Sequence, residues 1–256
     1  MLLLVNAVAM MGLPIAVGIG LRRATGTRWT LAARGALTFL AARALYYPLL
    51  AGWQWSMRAD LVPGAGATAS AIVIGLLVAA CEEGGRALAL GSMRTERGRV
   101  AALMVGVGHG GVEALGIGAL AMIGAIGILA ARDMTVPDFL ALGVPESSAE
   151  LRVEETAQAL AMPWYDALGG AFERAVMIPF HLACSVLVMA ALRRRRLWPL
   201  TLAFVAHATL EGAMGVLRDA AQREWILELE LTAIAVPFSV LVLAWAQERE
   251  PGEASV

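Results

Sequence analysis

Residues 100–130 read VAALMVGVGHGGVEALGIGALAMIGAIGILA, an unbroken apolar run of 31 residues that carries a single carboxylate, Glu113, and a single imidazole, His109. At a rise of about 1.5 Å per residue this run outspans the roughly 30 Å hydrocarbon core of a bilayer, so it reads as a membrane-crossing helix. Ionisable groups at such depth are costly unless they pair, bind an ion or face a wet cavity, and they mark a functional site by default. Working outward, six further apolar runs give seven expected spans, at residues 1–21, 29–53, 68–92, 100–130, 168–192, 197–218 and 225–246. The fold class is therefore all-α, a polytopic helical bundle forming one membrane-embedded domain over residues 1–247.

Composition agrees. The hydrophobic fraction is 59% and the mean hydropathy +0.70, which excludes an ordinary soluble enzyme. A net charge of −1 offers no field for nucleic acid, and all twenty cations are arginine. They matter through position. Clusters follow span one (Arg22, Arg23, Arg28), span three (Arg94, Arg97, Arg99) and span five (Arg193 to Arg196), so these connections are expected to be cytoplasmic. The N-terminus is then outside and the C-terminus inside. The first apolar run has no basic residues before it, so it is expected to be a retained span and not a cleaved signal. Cys81 and Cys184 lie in apolar segments and suggest neither a disulfide framework nor a thiolate metal site.

Residues 132–167 form an acidic connector, expected outside, with a capping-box pattern at Ser147 and Glu150 opening a short helix over about residues 148–161. Residues 248–256 read as a disordered tail. No repeat of fixed period and no low-complexity tract is present.

The chain has only three histidines, His109, His181 and His207, each within an apolar run. Counting along the spans tests whether they belong together. Glu82 lies ten residues before Ser92, at the expected end of span three, and His109 nine after Val100. His181 lies twelve before the Arg193 run, and His207 eleven after it. Because the spans alternate in direction, all four reach one level, roughly 15 Å from the cytoplasmic ends.

Local spacing adds partners. His109 and Glu113, and likewise His207 and Glu211, are four apart and so share a helix face. Arg86 is four beyond Glu82 and three beyond Glu83, placed to neutralise one carboxylate and leave the other as base or ligand. Gly106, Gly108, Gly110, Gly111, Gly116 and Gly118 suit close helix packing or a substrate-facing surface. Arg34 and Arg43 in span two must snorkel or meet a carboxylate, Glu113 or Glu211 being the expected partners of Arg43. Glu173 and Arg174 suggest an internal ion pair, Glu228 and Glu230 an interfacial position, and Arg193 to Arg196 a topology anchor.

At CEEGGR (Cys81 to Arg86), GVGHGGVEALG (Gly106 to Gly116), FERAVMIPFHLACSVLV (Phe172 to Val188) and AHATLEG (Ala206 to Gly212), the chain resembles the YhfC family of bacterial intramembrane metalloproteases. These are relatives of the CAAX-protease and bacteriocin-processing superfamily. The resemblance implies a multi-pass protein of the bacterial cell membrane that cleaves a membrane-associated peptide or protein. It implies Glu82 as the base, supported by Glu83 and Arg86, with His109 and His207 in the later histidine roles. Glu211 stands where the superfamily usually has asparagine or aspartate, and His181 has no assigned role.

Peptide hydrolysis needs a base, a polarised carbonyl and a stabilised oxyanion. Zinc held by His109, His181, His207 and Glu82 is one way to meet these needs. The other is a metal-free glutamate mechanism with imidazole donors. Glu82, Glu83, Arg86, His109, Glu113, His181, His207 and Glu211 are the candidate catalytic set. The competing readings are a proton- or ion-coupled transporter, since carboxylate and histidine chains also serve as relays, and a non-catalytic member of the fold.

Overall fold

In the computed structural model, residues 1–59, 61–62, 66–93, 95, 97–220 and 224–248 are described. They form ten helices and no strand. Seven are long: α1 (Leu2–Thr25), α2 (Trp29–Arg58), α3 (Ala67–Gly91), α4 (Arg99–Ala131), α8 (Gly169–Arg194), α9 (Trp198–Ala220) and α10 (Glu224–Glu248). Between α4 and α8 run three short ones, α5 (Val136–Ala141), α6 (Glu146–Ala161) and α7 (Trp164–Ala167). Of the tail expected at residues 248–256, Glu248 ends α10, and residues 249–256, like Arg94, lie outside the described residues.

Six of the long helices are apolar enough over a sufficient length to cross a bilayer. The exception is α2, which falls short of the seven expected spans. Its 30 residues are long enough, but its arginines and polar residues lower its apolar character. Its outward face is nonetheless lipid-like, with Leu37, Leu40, Leu45 and Tyr47 exposed.

The centre of the bundle is α8, with 72% of its apolar window buried against 17–39% in the other five. It packs against α4 and α10 and also touches α1, α3 and α9, while α3 lies along α9 and α4 along α1 and α2. Val176, Met177, Phe180, Ala183, Leu187 and Val188 of α8 form its buried face.

Glycines set the closest crossings. A Cβ at Gly35 or at Gly108 would run into a backbone carbonyl of the facing helix, Val105 and Ala32 respectively, so α2 and α4 touch backbone to backbone. Gly75 meets Ala208 and Gly212 where α3 crosses α9, and Gly106 meets Leu182 where α4 crosses α8. In lipid such approach supplies the packing that apolar surface alone does not. It also leaves little distance between the helices for polar side chains to cross.

The connector differs from expectation at its start signals. The capping box forms at Thr135 and Asp138, where the Asp138 carboxylate accepts from the Thr135 backbone N–H at 2.8 Å and its hydroxyl at 2.6 Å. The pair expected at Ser147 and Glu150 makes no cap. Pro145 holds the N-cap position of α6 and offers no side-chain oxygen, so the helix begins at Glu146.

Candidate active site

Five long helices contribute polar side chains to one buried cluster: Arg43 from α2; Glu82, Glu83 and Arg86 from α3; His109 and Glu113 from α4; Arg174 and His181 from α8; His207 and Glu211 from α9. Glu82, Glu83, Arg86 and all three histidines are essentially inaccessible, at 0–1% exposure. The depth counted along the sequence thus corresponds to physical contact. His181 lies with ring centroids 5.3 Å from His109 and 5.8 Å from His207.

Glu82 is the hub. Its Oε2 lies 2.8 Å from His109 Nε2 and 3.7 Å from His207 Nε2, and its Oε1 lies 2.9 Å from Arg43 Nη2. Arg43 therefore answers Glu82 first and Glu113 only at 3.9 Å, because the tight α2–α4 crossing sets it beside α3. Glu83 takes a different part. Arg86 pairs closely with it, and His207 Nδ1 lies 2.7 Å from its Oε1. Arg86 approaches Glu82 only to 3.8 Å. The neighbouring carboxylates are thus divided: Glu83 orients and Glu82 faces the imidazoles.

The His109–Glu113 pair does not form as the spacing suggested, whereas His207 Nε2 comes to 3.9 Å from Glu211 Oε1. Glu113 reaches across to α8, its Oε2 lying 2.8 Å from His181 Nε2 and its Oε1 3.2 Å from Arg174 Nη1. The reason lies one turn away, at Gly110, where a Cβ would come within 2.7 Å of the His181 ring. His181 fills the space that the missing side chain leaves, and Glu113 meets it there. Glu173 and Arg174 do pair, as expected, but Arg174 also carries Glu113. Arg34 contacts no carboxylate among the described residues; its Nη1 reaches the Ala89 carbonyl at 3.3 Å and the Ser92 hydroxyl at 3.4 Å.

Two aromatic residues that the motif reading passed over wall the cluster. Phe39 stands edge-on to His109 with centroids 5.2 Å apart, and Phe180 lies 5.6 Å from His207 and 6.0 Å from His181. Both had signals: Phe39 lies one turn before Arg43, and Phe180 precedes His181.

The donors fit a metal ion. Glu82, His109 and His181 bring ligand atoms within 4.8 Å of one another, all buried. His207 adds the arrangement usual for a ligating imidazole, one nitrogen held by a carboxylate and the other left for the metal: Nδ1 faces Glu83 and the buried Nε2 has no hydrogen-bond partner among the described residues. His181 is engaged at both nitrogens, by Arg86 and by Glu113. His109 keeps a buried Nδ1 without a hydrogen-bond partner among the described residues. A set of imidazole and carboxylate donors suits zinc chemistry.

Buried acids and histidines meeting on several apolar helices mark a functional site inside the membrane and suit a hydrolase or a proton relay alike. Residues 9–231 match the family model of the YhfC intramembrane metalloprotease. The chain belongs to the YhfC family. Comparison with curated proteins and with solved structures finds no match. As a YhfC member the chain is a multi-pass membrane protein of a protease family, and the match covers every helix that supplies the cluster.

A cavity of about 1350 Å³ adjoins the cluster. Its inner wall includes Arg43, Glu113, Leu210 and Glu211, and its outer wall is made by α7 and the first turns of α8 and α10. Glu228, expected at an interface, lines it.

Proposed function

We propose that this protein is an intramembrane endopeptidase that hydrolyses a peptide bond of a membrane-associated substrate, with Glu82 activating the water. The observation that carries this reading is the position of Glu82 Oε2, buried between His109 Nε2 and His207 Nε2 at 2.8 and 3.7 Å. Glu211 and Glu113 lie beside it and border the cavity.

Glu82 accepts a proton from water as the water oxygen bonds to the carbonyl carbon, and returns it to the leaving nitrogen as the C–N bond breaks. His109 holds the carboxylate oxygen in place. Arg43 offsets the charge of Glu82 from the opposite oxygen, and Glu83 fixes the His207 ring through Nδ1. The Nε2 edge of His207 is thereby turned toward the reacting region, where the imidazolium form, protonated at both nitrogens, can donate its Nε2–H to the oxyanion. His109, His207 and Glu82 are the side chains that would hold a metal ion, zinc being the one their chemistry suits. Bound there, it would polarise the carbonyl and acidify water.

The test is cleavage of a fluorogenic membrane peptide by the full chain reconstituted in vesicles. Glu82→Gln and His109→Ala are each expected to lower the rate by about 10²–10⁴-fold while the detergent-purified proteins remain folded, with a cooperative unfolding transition. Full turnover in both variants overturns the proposal. Metal analysis of the wild type beside a His109/His207 double variant separates the two versions of the mechanism: stoichiometric metal lost in the variant assigns the metalloprotease, and active metal-free enzyme the glutamate protease.

A further inference from the structure

Arg174 is 3% exposed and stands in the cavity wall, about 10 Å along α8 from His181. It pairs with Glu173 and Glu113. From Glu113 an unbroken line of side chains leads inward. Glu113 meets Arg174 Nη1 through Oε1 at 3.2 Å and His181 Nε2 through Oε2 at 2.8 Å. His181 Nδ1 lies 2.9 Å from Arg86 Nη2, and Arg86 Nη1 pairs closely with Glu83 Oε1. That same oxygen lies 2.7 Å from His207 Nδ1. The line draws on α8, α4, α3 and α9, and it ends on the ring whose Nε2 faces Glu82.

Its polarity is fixed at every link, because a guanidinium only donates and an ionised carboxylate only accepts. Arg174 and the His181 Nε2–H donate to Glu113, Arg86 donates to His181 Nδ1 and to Glu83, and the His207 Nδ1–H donates to Glu83. Moving the proton to the other nitrogen of either ring would set donor against donor or acceptor against acceptor. In a low-dielectric site such a mismatch is costly, and charged hydrogen bonds joined in series strengthen one another. One arrangement is therefore favoured, and its outer end is held by Arg174. Among the described residues the other cation near Glu113 is Arg43, 3.9 Å from the same Oε1. With Arg174 gone, Arg43 draws the carboxylate toward α2 and away from His181.

We propose that Arg174 is a positioning residue for hydrolysis. Acting through Glu113, His181, Arg86 and Glu83, it fixes the orientation of the His207 ring against Glu82. The inference rests on the peptidase reading and adds to it a residue of the cavity wall, so that wall and reacting histidine share one set of hydrogen bonds.

Contiguity alone does not establish coupling, so the experiment is a double-mutant cycle of Arg174→Gln with Glu83→Gln. It uses the full chain in phosphatidylcholine vesicles and reads kcat and KM on the fluorogenic membrane peptide. Solid-state NMR of histidine labelled with nitrogen-15 reads the rings themselves; with three histidines in the chain, single substitutions assign each one. Each single variant is expected to lower kcat by about 10²-fold at nearly constant KM. The double variant is expected to stay within about ten-fold of the slower single, short of the product of the two losses. The His207 resonances are expected to move in Arg174→Gln, although four side chains stand between. Where Arg174→Gln does not fold, Arg174→Gln with Glu113→Gln removes both charges together and takes its place in the cycle. A raised KM at constant kcat, an additive cycle, or His207 resonances that stay in place overturns the proposal. Cleavage by the wild type with any of these outcomes sinks this proposal alone. Displaced His207 resonances in a protein that cleaves nothing sink the peptidase reading alone and leave the line from Arg174 to His207 standing.

Discussion

Arg86 Nη2 lies 2.9 Å from His181 Nδ1. A guanidinium can only donate, so Nδ1 accepts and the imidazole proton sits on Nε2, directed at Glu113. His181 is thus held as a donor to Glu113, whereas His207, oriented through Nδ1 by Glu83, has no hydrogen-bond partner at Nε2 among the described residues. The geometric grouping of Glu82, His109 and His181 and the hydrogen-bond pattern therefore favour different third donors. The hydrogen bonds are the stronger guide, because ligating through His181 Nε2 would move the ring proton to Nδ1, where it would face the Arg86 donor, and would leave Glu113 without its donor. Bound metal is expected to stay stoichiometric in His181→Ala and to fall in His207→Ala, as measured by elemental analysis of purified protein. The reverse order would place His181 in the metal site.

Arg43 is a second residue whose role emerges only in three dimensions. Its guanidinium sits 2.9 Å from Glu82 and 4.9 Å from the centroid of Phe39, so it is fixed by charge and by an aromatic face together. Replacing it by methionine keeps much of the packing and leaves Glu82 without its cation. Loss of one partner of a buried pair costs about 3–5 kcal/mol. Arg43→Met is expected to lower the unfolding midpoint in detergent and to reduce turnover by at least ten-fold. Arg43→Lys is expected to recover stability in part, because a lysine keeps the charge but not the planar contact with Phe39. Wild-type stability in Arg43→Met would show that the pair contributes nothing.

Much of this was legible in the chain. Span positions follow from apolar length, and the common level of Glu82, His109, His181 and His207 follows from helical rise, because a helix converts residue count into depth. Lateral pairing does not follow. The i to i+4 rule says which residues share a face, yet in a buried site a neighbouring helix often offers a better partner. Glu113 turns to His181 and Arg174, and Arg43 to Glu82, because glycines at 35, 106, 108 and 110 decide how closely the helices approach. Glycine content marks that helices can pack tightly but not which pair does so. The exclusion of α2 from the apolar spans has a related cause, since the arginine that serves the site makes its helix more polar.

Outside the membrane helices, the Thr135–Asp138 capping box carries its own pH signature. Hydrogen bonds from the Thr135 side chain and backbone lower the pKa of Asp138. A depressed carboxylate contributes stability that is present above its ordinary titration range and is lost as pH falls through the folded value. Amide exchange in α5 is expected to speed up in acid, beyond its intrinsic pH dependence, and to lose that dependence in Asp138→Asn. Ser147→Ala, at the unused start signal, is expected to leave exchange in α6 unchanged. Protection in α5 that ignores both pH and Asp138→Asn would remove the capping box as its cause.

Two glycines on one helix make the sharpest contrast. At Gly110 an added methyl group would lie 2.7 Å from Cδ2 and 3.1 Å from Cβ of His181, with the ring already fixed by Arg86 and Glu113. At Gly116 nothing lies within 4 Å. Overpacking a fixed site costs about 1–3 kcal/mol, whereas alanine in place of an open helical glycine gains up to about 1 kcal/mol. Gly110→Ala is therefore expected to melt earlier and to lose activity through displacement of His181 and Glu113, and Gly116→Ala to melt at or above the wild-type temperature with full activity. Both are read in one thermal-shift and turnover series. Equal behaviour of the two variants would mean that the His181 ring has freedom to move, and would remove Gly110 as the reason it sits where Glu113 can reach it.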